Sequence, residues 1–297
     1  MKKTLFGAAA VAVLAASSAF AADLPARAPA PVYKAPAVVA PMVYNWSGFY
    51  IGGNIGYGWE NARTDYSYTS APALAPPGFE DIFGPVGPGP LNVGGQSAVA
   101  SAIAQGFLPT SIGKKDQGFF TGGVQAGANY QVNQLVFGAE ADFMWMNGVK
   151  TTSYTAPNNN IITNTATAQA GLRWLSTVRA RAGFAMDRTL VYATGGVAFG
   201  RVVANTTGSG TDGSNVDVFS GDGTKTRTGY TVGAGVEYAF TQNWIARAEY
   251  LYYNLGTVNY AVAAANSVAA GEGLFINASQ KMDGSIVRAA VSYKFGG

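Results

Sequence analysis

The chain has no cysteine and no histidine among its 297 residues. Only 12% of them are charged, about half the share usual in a soluble protein. The missing cysteine excludes a disulfide framework and thiolate zinc sites, and the missing histidine excludes any mechanism that runs through an imidazole. Charge of either sign is scarce and nearly balanced, with 19 Lys and Arg against 16 Asp and Glu and a net charge of +3, so nothing marks a nucleic-acid surface. Past the first twenty residues no apolar run reaches the roughly 20 residues a membrane-spanning helix requires, which excludes an inner-membrane bundle of helices. No cofactor and no metal ligand set is expected from this inventory.

What is present begins with Lys2 and Lys3, an apolar stretch from Leu5 to about Ala16, and the small-residue ending Ala19-Phe20-Ala21. That is the form of a secretory signal peptide cut after Ala21, and residues 1–21 are assigned to it. A transmembrane anchor is the alternative, and the apolar stretch is too short for it. Residues 22–45 carry Pro25, Pro29, Pro31, Pro36 and Pro41 spaced by Ala and Val, a composition that favours extended chain and is expected to be a periplasmic tail.

From Trp46 onward the text changes to a period of two. In the last run Val287, Ala289, Val291, Tyr293 and Phe295 share one face, while Arg288, Ala290, Ser292 and Lys294 share the other. The apolar faces end in large aromatics, which suits lipid and its two interfaces, so the polar side becomes the inside. Eight such runs are predicted, near 46–62, 117–130, 134–148, 169–184, 189–203, 226–241, 243–257 and 281–295. Runs two and three, four and five, and six and seven are joined by short turns, and every other connection is long. Short turns on one side and long loops on the other predict an all-β fold, an eight-stranded antiparallel transmembrane β-barrel spanning 46–297 with its long loops outside the cell. An exported soluble β-protein is the competing class.

The connections are expected to be loops. The longest, near 65–115, is rich in Pro, Gly, Ala and Ser and should lie exposed at the surface or fold into the lumen as a plug. Gly208-Ser209-Gly210-Thr211-Asp212-Gly213 matches G-x-G-x-x-G, but a loop without the strand and helix of a nucleotide fold makes it a chance match. Asp212, Asp217 and Asp222 lack EF-hand spacing. Trp59, Trp145, Trp174, Tyr252 and Tyr253 toward the outside, with Tyr130, Phe184, Phe240, Trp244 and Phe295 toward the periplasm, are read as two interfacial girdles.

Several strand texts resemble one family. The opening Asn45-Trp46-Ser47-Gly48-Phe49-Tyr50-Ile51-Gly52-Gly53, followed by Gly56-Tyr57-Gly58-Trp59, is similar to the start of small alphaproteobacterial outer-membrane β-barrel surface proteins. Arg179-Ala180-Arg181-Ala182-Gly183-Phe184, Tyr192-Ala193-Thr194-Gly195-Gly196 and the stretch Gly233 to Tyr250 extend the resemblance over the mature chain. It implies an OmpA-like eight-stranded barrel of the porin-family type in the outer membrane. The departures are Gly296 and Gly297 after the terminal Phe295 and a longer first outer loop.

With the outward face set by the aromatics, the inward charged residues are Glu140, Asp142, Arg179, Arg181, Glu237, Arg247, Glu249 and Arg288. Each lies roughly four to eight positions from the nearest periplasmic turn or chain end, so the eight should form one layer. A lumen only wide enough for side chains requires such charges to pair, which predicts a plugged interior. A conducting constriction is the alternative reading of the same residues. Arg173 and Lys294 fall outside the layer and are expected to sit in water. Glu140 and Asp142 share a face and could act as acid and base, but adjacent arginines would hold both ionised and remove the proton donor. The expectation is therefore a non-enzymatic envelope protein with surface-exposed loops, with a narrow porin or a ligand-binding barrel as alternatives. Its expected partners are outer-membrane lipid, lipopolysaccharide and, during biogenesis, the barrel-assembly machinery, with no nucleic acid and with loop ligands that the sequence does not select.

Overall fold

The computed structural model describes residues 44–70, 109–156, 163–211, 216–264 and 274–295. The signal segment 1–21, residues 22–43 of the tail, the proline-rich part of the first loop (71–108), and Gly296 with Gly297 lie outside the described residues. In chain order the strands are β1 (Gly48–Glu60), β2 (Thr64–Ser70), β3 (Ser111–Ile112), β4 (Gln117–Val132), β5 (Leu135–Met146) and β6 (Lys150–Thr155). They continue as β7 (Thr163–Met186), β8 (Thr189–Thr211), β9 (Val216–Asp222), β10 (Lys225–Ala239), β11 (Trp244–Ala264) and β12 (Leu274–Phe295). No helix among the described residues is long and apolar enough to cross a membrane, and the crossing belongs to strands.

Eight of these strands close a ring. Antiparallel ladders join β1 to β4, β4 to β5, β5 to β7 and β7 to β8. The circuit then passes from β8 to β10, β11 and β12, and returns to β1 in a continuous register from Phe49↔Phe295 to Glu60↔Gly284. Closure leaves no open edge in the apolar band, which lipid requires because it cannot satisfy an unpaired backbone amide. The alternation seen in the sequence is the alternation of the wall. In β1, Ile51 and Ile55 face out, the latter 73% exposed, while Tyr50 and Asn54 point in and are buried. Lipid takes the outward set.

Two of the short turns use the residues that tolerate a left-handed backbone: Asn133 at φ 55° between β4 and β5, and Asp187 at φ 53° between β7 and β8. In the third, the Thr241 hydroxyl accepts from the Trp244 amide at 2.9 Å.

The long connections differ from the loops expected of them. The strands β7, β8, β11 and β12 run for 24, 23, 21 and 22 residues, whereas crossing a bilayer takes about 9–11. They therefore project well beyond the membrane and are joined there by β2, β3, β6 and β9. The part of the first connection at Thr64–Ser70 is strand paired with β12, and Gly208 to Thr211 lies on β8, paired with β7. The physical reason is compositional. Stretches such as Thr163-Asn-Thr-Ala-Thr-Ala-Gln-Ala170 alternate β-branched or polar residues with small ones, which fits a pleated sheet in water but lacks the aromatic rhythm that marks a lipid-facing strand. Bulges break the ladders where the wall leaves the bilayer, between Leu172 and Leu175 and between Asn254 and Thr257. At the second of these, Gly256 takes φ 76° and its amide donates to Asn254 Oδ1 at 2.8 Å.

Candidate functional site

All eight inward charges converge in the barrel interior, each no more than 5% exposed. Strand β5 supplies Glu140 and Asp142, β7 supplies Arg179 and Arg181, β10 supplies Glu237, β11 supplies Arg247 and Glu249, and β12 supplies Arg288. The i, i+2 pairs share a face because the strand period is two. Their partners, by contrast, come from across the lumen as well as from adjacent strands.

Glu140 is the hub. It meets Arg179, Arg247 at 2.5 Å, Arg288 at 3.4 Å and Arg181 at 3.7 Å, and it also accepts from the Tyr50 hydroxyl at 2.6 Å. Asp142 binds Arg179 at 2.8 Å and Arg288 at 3.1 Å, and Glu249 binds the same two arginines at 2.9 and 2.5 Å. Glu237 takes Arg247 at 2.6 Å and Arg181 at 2.9 Å. Four carboxylates thus face four guanidiniums in one web, and the charge sums to zero. An isolated ion in this buried interior would cost several kcal/mol, so the balance is what permits burial.

Tyrosines complete the web, and they were absent from the charged set read in the sequence. Tyr192 donates to Glu249 at 2.8 Å, and its ring lies under the Arg181 guanidinium at 4.0 Å. Room for these rings comes from glycine: a Cβ at Gly127 would strike the Tyr50 hydroxyl, and one at Gly235 would lie 2.6 Å from that of Tyr192. The signal for Tyr50 and Tyr192 was their inward parity in strands otherwise read for girdles. Beside the web, Asn54 donates to Gln125 at 3.1 Å and Gln125 donates to Ser292 at 3.1 Å, filling the wall under β1 and β12.

Apolar clusters lie on both sides of the charged layer. Toward the short turns, Tyr44 and Trp46 are 1% and 0% exposed and pack with Val136, Leu190, Tyr192 and Ile245. Trp46 Nε1 donates to the Asp187 carbonyl at 3.1 Å, and its amide donates to Gln131 Oε1 at 2.7 Å. The chain before β1 is therefore folded across the mouth of the barrel at Tyr44–Ser47, a feature its Pro- and Ala-rich surroundings concealed. Lys294 was expected in water and is 2% exposed: its Nζ donates to the Asn45 carbonyl and lies 4.5 Å from the Tyr44 ring. The Tyr44 to Trp46 segment covers it. Arg173 is exposed.

On the outer side a larger cluster includes Phe119, Met144, Leu172, Leu251, Tyr253, Val258, Met282 and Ile286. Tyr253 belongs here and not to the outer girdle. Tyr252 and Tyr253 are adjacent in a strand, so only one can face lipid, and Tyr253 is the inward one, donating to Glu60 Oε2 at 3.1 Å. Glu60, buried at the end of β1, also accepts from the Leu172 amide at 3.3 Å. Trp59, Trp145, Trp174 and Tyr252 remain at the outer rim of the apolar band, with Trp174 stacked 5.6 Å from Phe143.

The sequence profile of the outer membrane protein β-barrel domain matches residues 6–295. The chain is 33% identical over 289 residues to the 31 kDa outer-membrane immunogenic protein of Brucella melitensis, covering 97% of this chain and 98% of that protein. It is 26% identical over 281 residues to the 25 kDa outer-membrane immunogenic protein of Brucella abortus, covering 94% and 92%. A 22 kDa outer membrane protein of Rhizobium leguminosarum is 33% identical over 141 residues, which cover 48% of this chain and 55% of that protein. With a closed ring of eight antiparallel strands, an apolar outer face and a profile match over almost its full length, the chain belongs to the outer membrane protein β-barrel domain family and is an outer-membrane protein of alphaproteobacterial type.

Proposed function

We propose that this protein is a non-enzymatic, surface-exposed component of the envelope whose barrel is plugged. The observation that carries the reading is the layering of the lumen: the paired charges lie between the Tyr44 and Trp46 cluster below and the Phe119, Met144 and Tyr253 cluster above. A conducting path would have to pass all three tiers, and each of the eight charged residues pairs with two or more of opposite sign. The same pairing supports the non-enzymatic reading, since Glu140 and Asp142 each lie against arginines and no histidine is available as a base. The strands projecting past the membrane supply the exposed surface, in keeping with relatives named as outer-membrane immunogenic proteins. Lipid and lipopolysaccharide at the apolar band, and the assembly machinery during insertion, are the partners this role entails.

The test is single-channel recording of the refolded protein in planar bilayers. Wild type should be silent, and a variant that opens all three tiers, with Trp46, Arg179, Arg181, Arg247, Phe119 and Met144 changed to Ala, should leak. Steady wild-type openings whose size changes with the arginine substitutions would replace this reading with a narrow porin.

A further inference from the structure

Arg173 breaks the parity of its strand. Along β7 the residues Leu175, Thr177, Arg179 and Arg181 point into the lumen, and an unbroken ladder would turn Arg173 inward with them. The bulge prevents this. Leu172 pairs with Val202 and Leu175 with Gly200, so Arg173 and Trp174 together lie opposite the single residue Arg201 of β8. Leu172, Leu175 and Val202 are buried, whereas Arg173 and Arg201 are exposed, and both arginines therefore stand on the outer surface of the wall. A break in the ladder has re-aimed one guanidinium to sit beside another.

Two like charges facing each other across a ladder destabilise it unless an anion lies between them. Neither arginine has an ion pair or a hydrogen bond among the described residues, whereas Arg63 and Lys281, also on the outer side, pair with Asp65 at 2.7 Å and Asp283 at 3.4 Å. Asp222 feels the charge of Arg201 but makes no ion pair with it, and its carboxylate accepts from the Thr224 amide at 2.7 Å. On the next strand Thr226 is paired with Arg201, and the exposed Lys225 beside it adds positive charge.

The height of the pair on the wall decides its partner. Trp174, adjacent to Arg173, stands at the outer rim of the apolar band, and Val178, Val197 and Phe199 are exposed on the lipid side just below. A molecule that fits here has an anionic group at the level of the arginines and hydrocarbon beneath it. On the outer side of this membrane that is the phosphorylated, acylated sugar of lipopolysaccharide, and guanidinium forks match phosphate oxygens in charge and in geometry.

We propose that Arg173 and Arg201 clamp a phosphate of lipid A, whose acyl chains lie on Val178, Val197 and Phe199. This rests on the reading of lipopolysaccharide as a partner at the apolar band and places it at one sector of the wall.

The test is native mass spectrometry of the full chain in detergent micelles, titrated with bis-phosphorylated lipid A and with the same lipid stripped of its phosphates. Wild type should bind the phosphorylated form about tenfold more tightly, the product of two exposed charge contacts. Arg173→Gln with Arg201→Gln should remove that preference, and Lys115→Gln with Lys281→Gln should leave it within about twofold. A preference that survives the arginine changes, or falls equally with the lysine changes, would overturn the clamp while leaving lipopolysaccharide a partner elsewhere on the wall. Binding of neither lipid would overturn the partner reading itself. Phosphatidylglycerol or inorganic phosphate bound as tightly as lipid A would overturn the choice of ligand. Should the arginine variant fail to refold, wild type with lipid A carrying a diazirine on an acyl chain decides: adducts concentrated at Val178, Val197 and Phe199 support the clamp, and adducts spread evenly around the belt overturn it.

Discussion

Glu140→Gln is the sharpest perturbation of the interior. Gln matches Glu in shape and keeps an acceptor toward Tyr50, so the change removes a charge and leaves no cavity. Glu140 touches all four arginines of the layer, with Arg247 at 2.5 Å, Arg288 at 3.4 Å and Arg181 at 3.7 Å. At an effective dielectric of about 20, one pair 3 Å apart is worth roughly 5 kcal/mol before desolvation is subtracted. Most of the gross attraction is offset because the neutral side chain no longer has to be dehydrated as an ion. What remains is a lumen carrying one uncompensated positive charge, and measured losses for breaking buried pairs from one side are about 3–5 kcal/mol. Urea unfolding of the protein refolded into lipid vesicles, followed by tryptophan fluorescence, should show a loss of that size. Adding Arg247→Met to Glu140→Gln should restore part of it, since the pair is then removed as a unit. A single-variant loss below about 1 kcal/mol, inside the range of exposed pairs, would refute the buried-network argument.

Ile55→Arg places a guanidinium on the lipid side near the middle of β1, at a residue 73% exposed to the bilayer, and should cost about 2–4 kcal/mol in the same assay. Trp46→Ala should lower stability by about 3–5 kcal/mol, while bilayer recordings stay silent because the ion layer still closes the lumen. At the outer hairpin, the hydrogen bonds of Thr224, that of its backbone amide at 2.7 Å first, hold the Asp222 carboxyl below the usual carboxylate range. A depressed native value means the contribution is full above the unfolded pKa of about 3.9 and is lost as pH falls below it. The protection factor of the Thr224 amide, its exchange rate relative to the intrinsic rate at each pH, should therefore fall on acidification through that window in wild type and stay constant in Asp222→Ala.

The membrane-spanning wall was legible because lipid imposes a simple rule: Val287, Ala289, Val291, Tyr293 and Phe295 had to share a face, and the opposite parity then held Arg288 and Lys294. Parity also turned Glu140, Asp142, Arg179, Arg181, Glu237, Arg247, Glu249 and Arg288 inward, and each of them is buried. It was silent about strands in water. There the rhythm of Thr and Ala around Thr163–Ala170 has no aromatic markers, so the sheet above the bilayer read as loop. Tyr253 was misplaced because an aromatic near a rim fits a girdle from composition alone, and only its neighbour Tyr252 shows that one of the two must turn in.

The sequence by itself determined the class of structure and the inside and outside of its wall, since a period of two and the demand that lipid meet only apolar groups leave one solution. Tertiary structure decided who pairs with whom. Glu140 meets Arg247 and Arg288 only because the ring closes through β1 and β12 and brings strands separated by more than a hundred residues across one narrow lumen. The covering of Lys294 by the Tyr44 to Trp46 segment likewise joins distant parts of the chain. Each joins residues whose neighbourhood depends on distance through space and has no trace in local pattern.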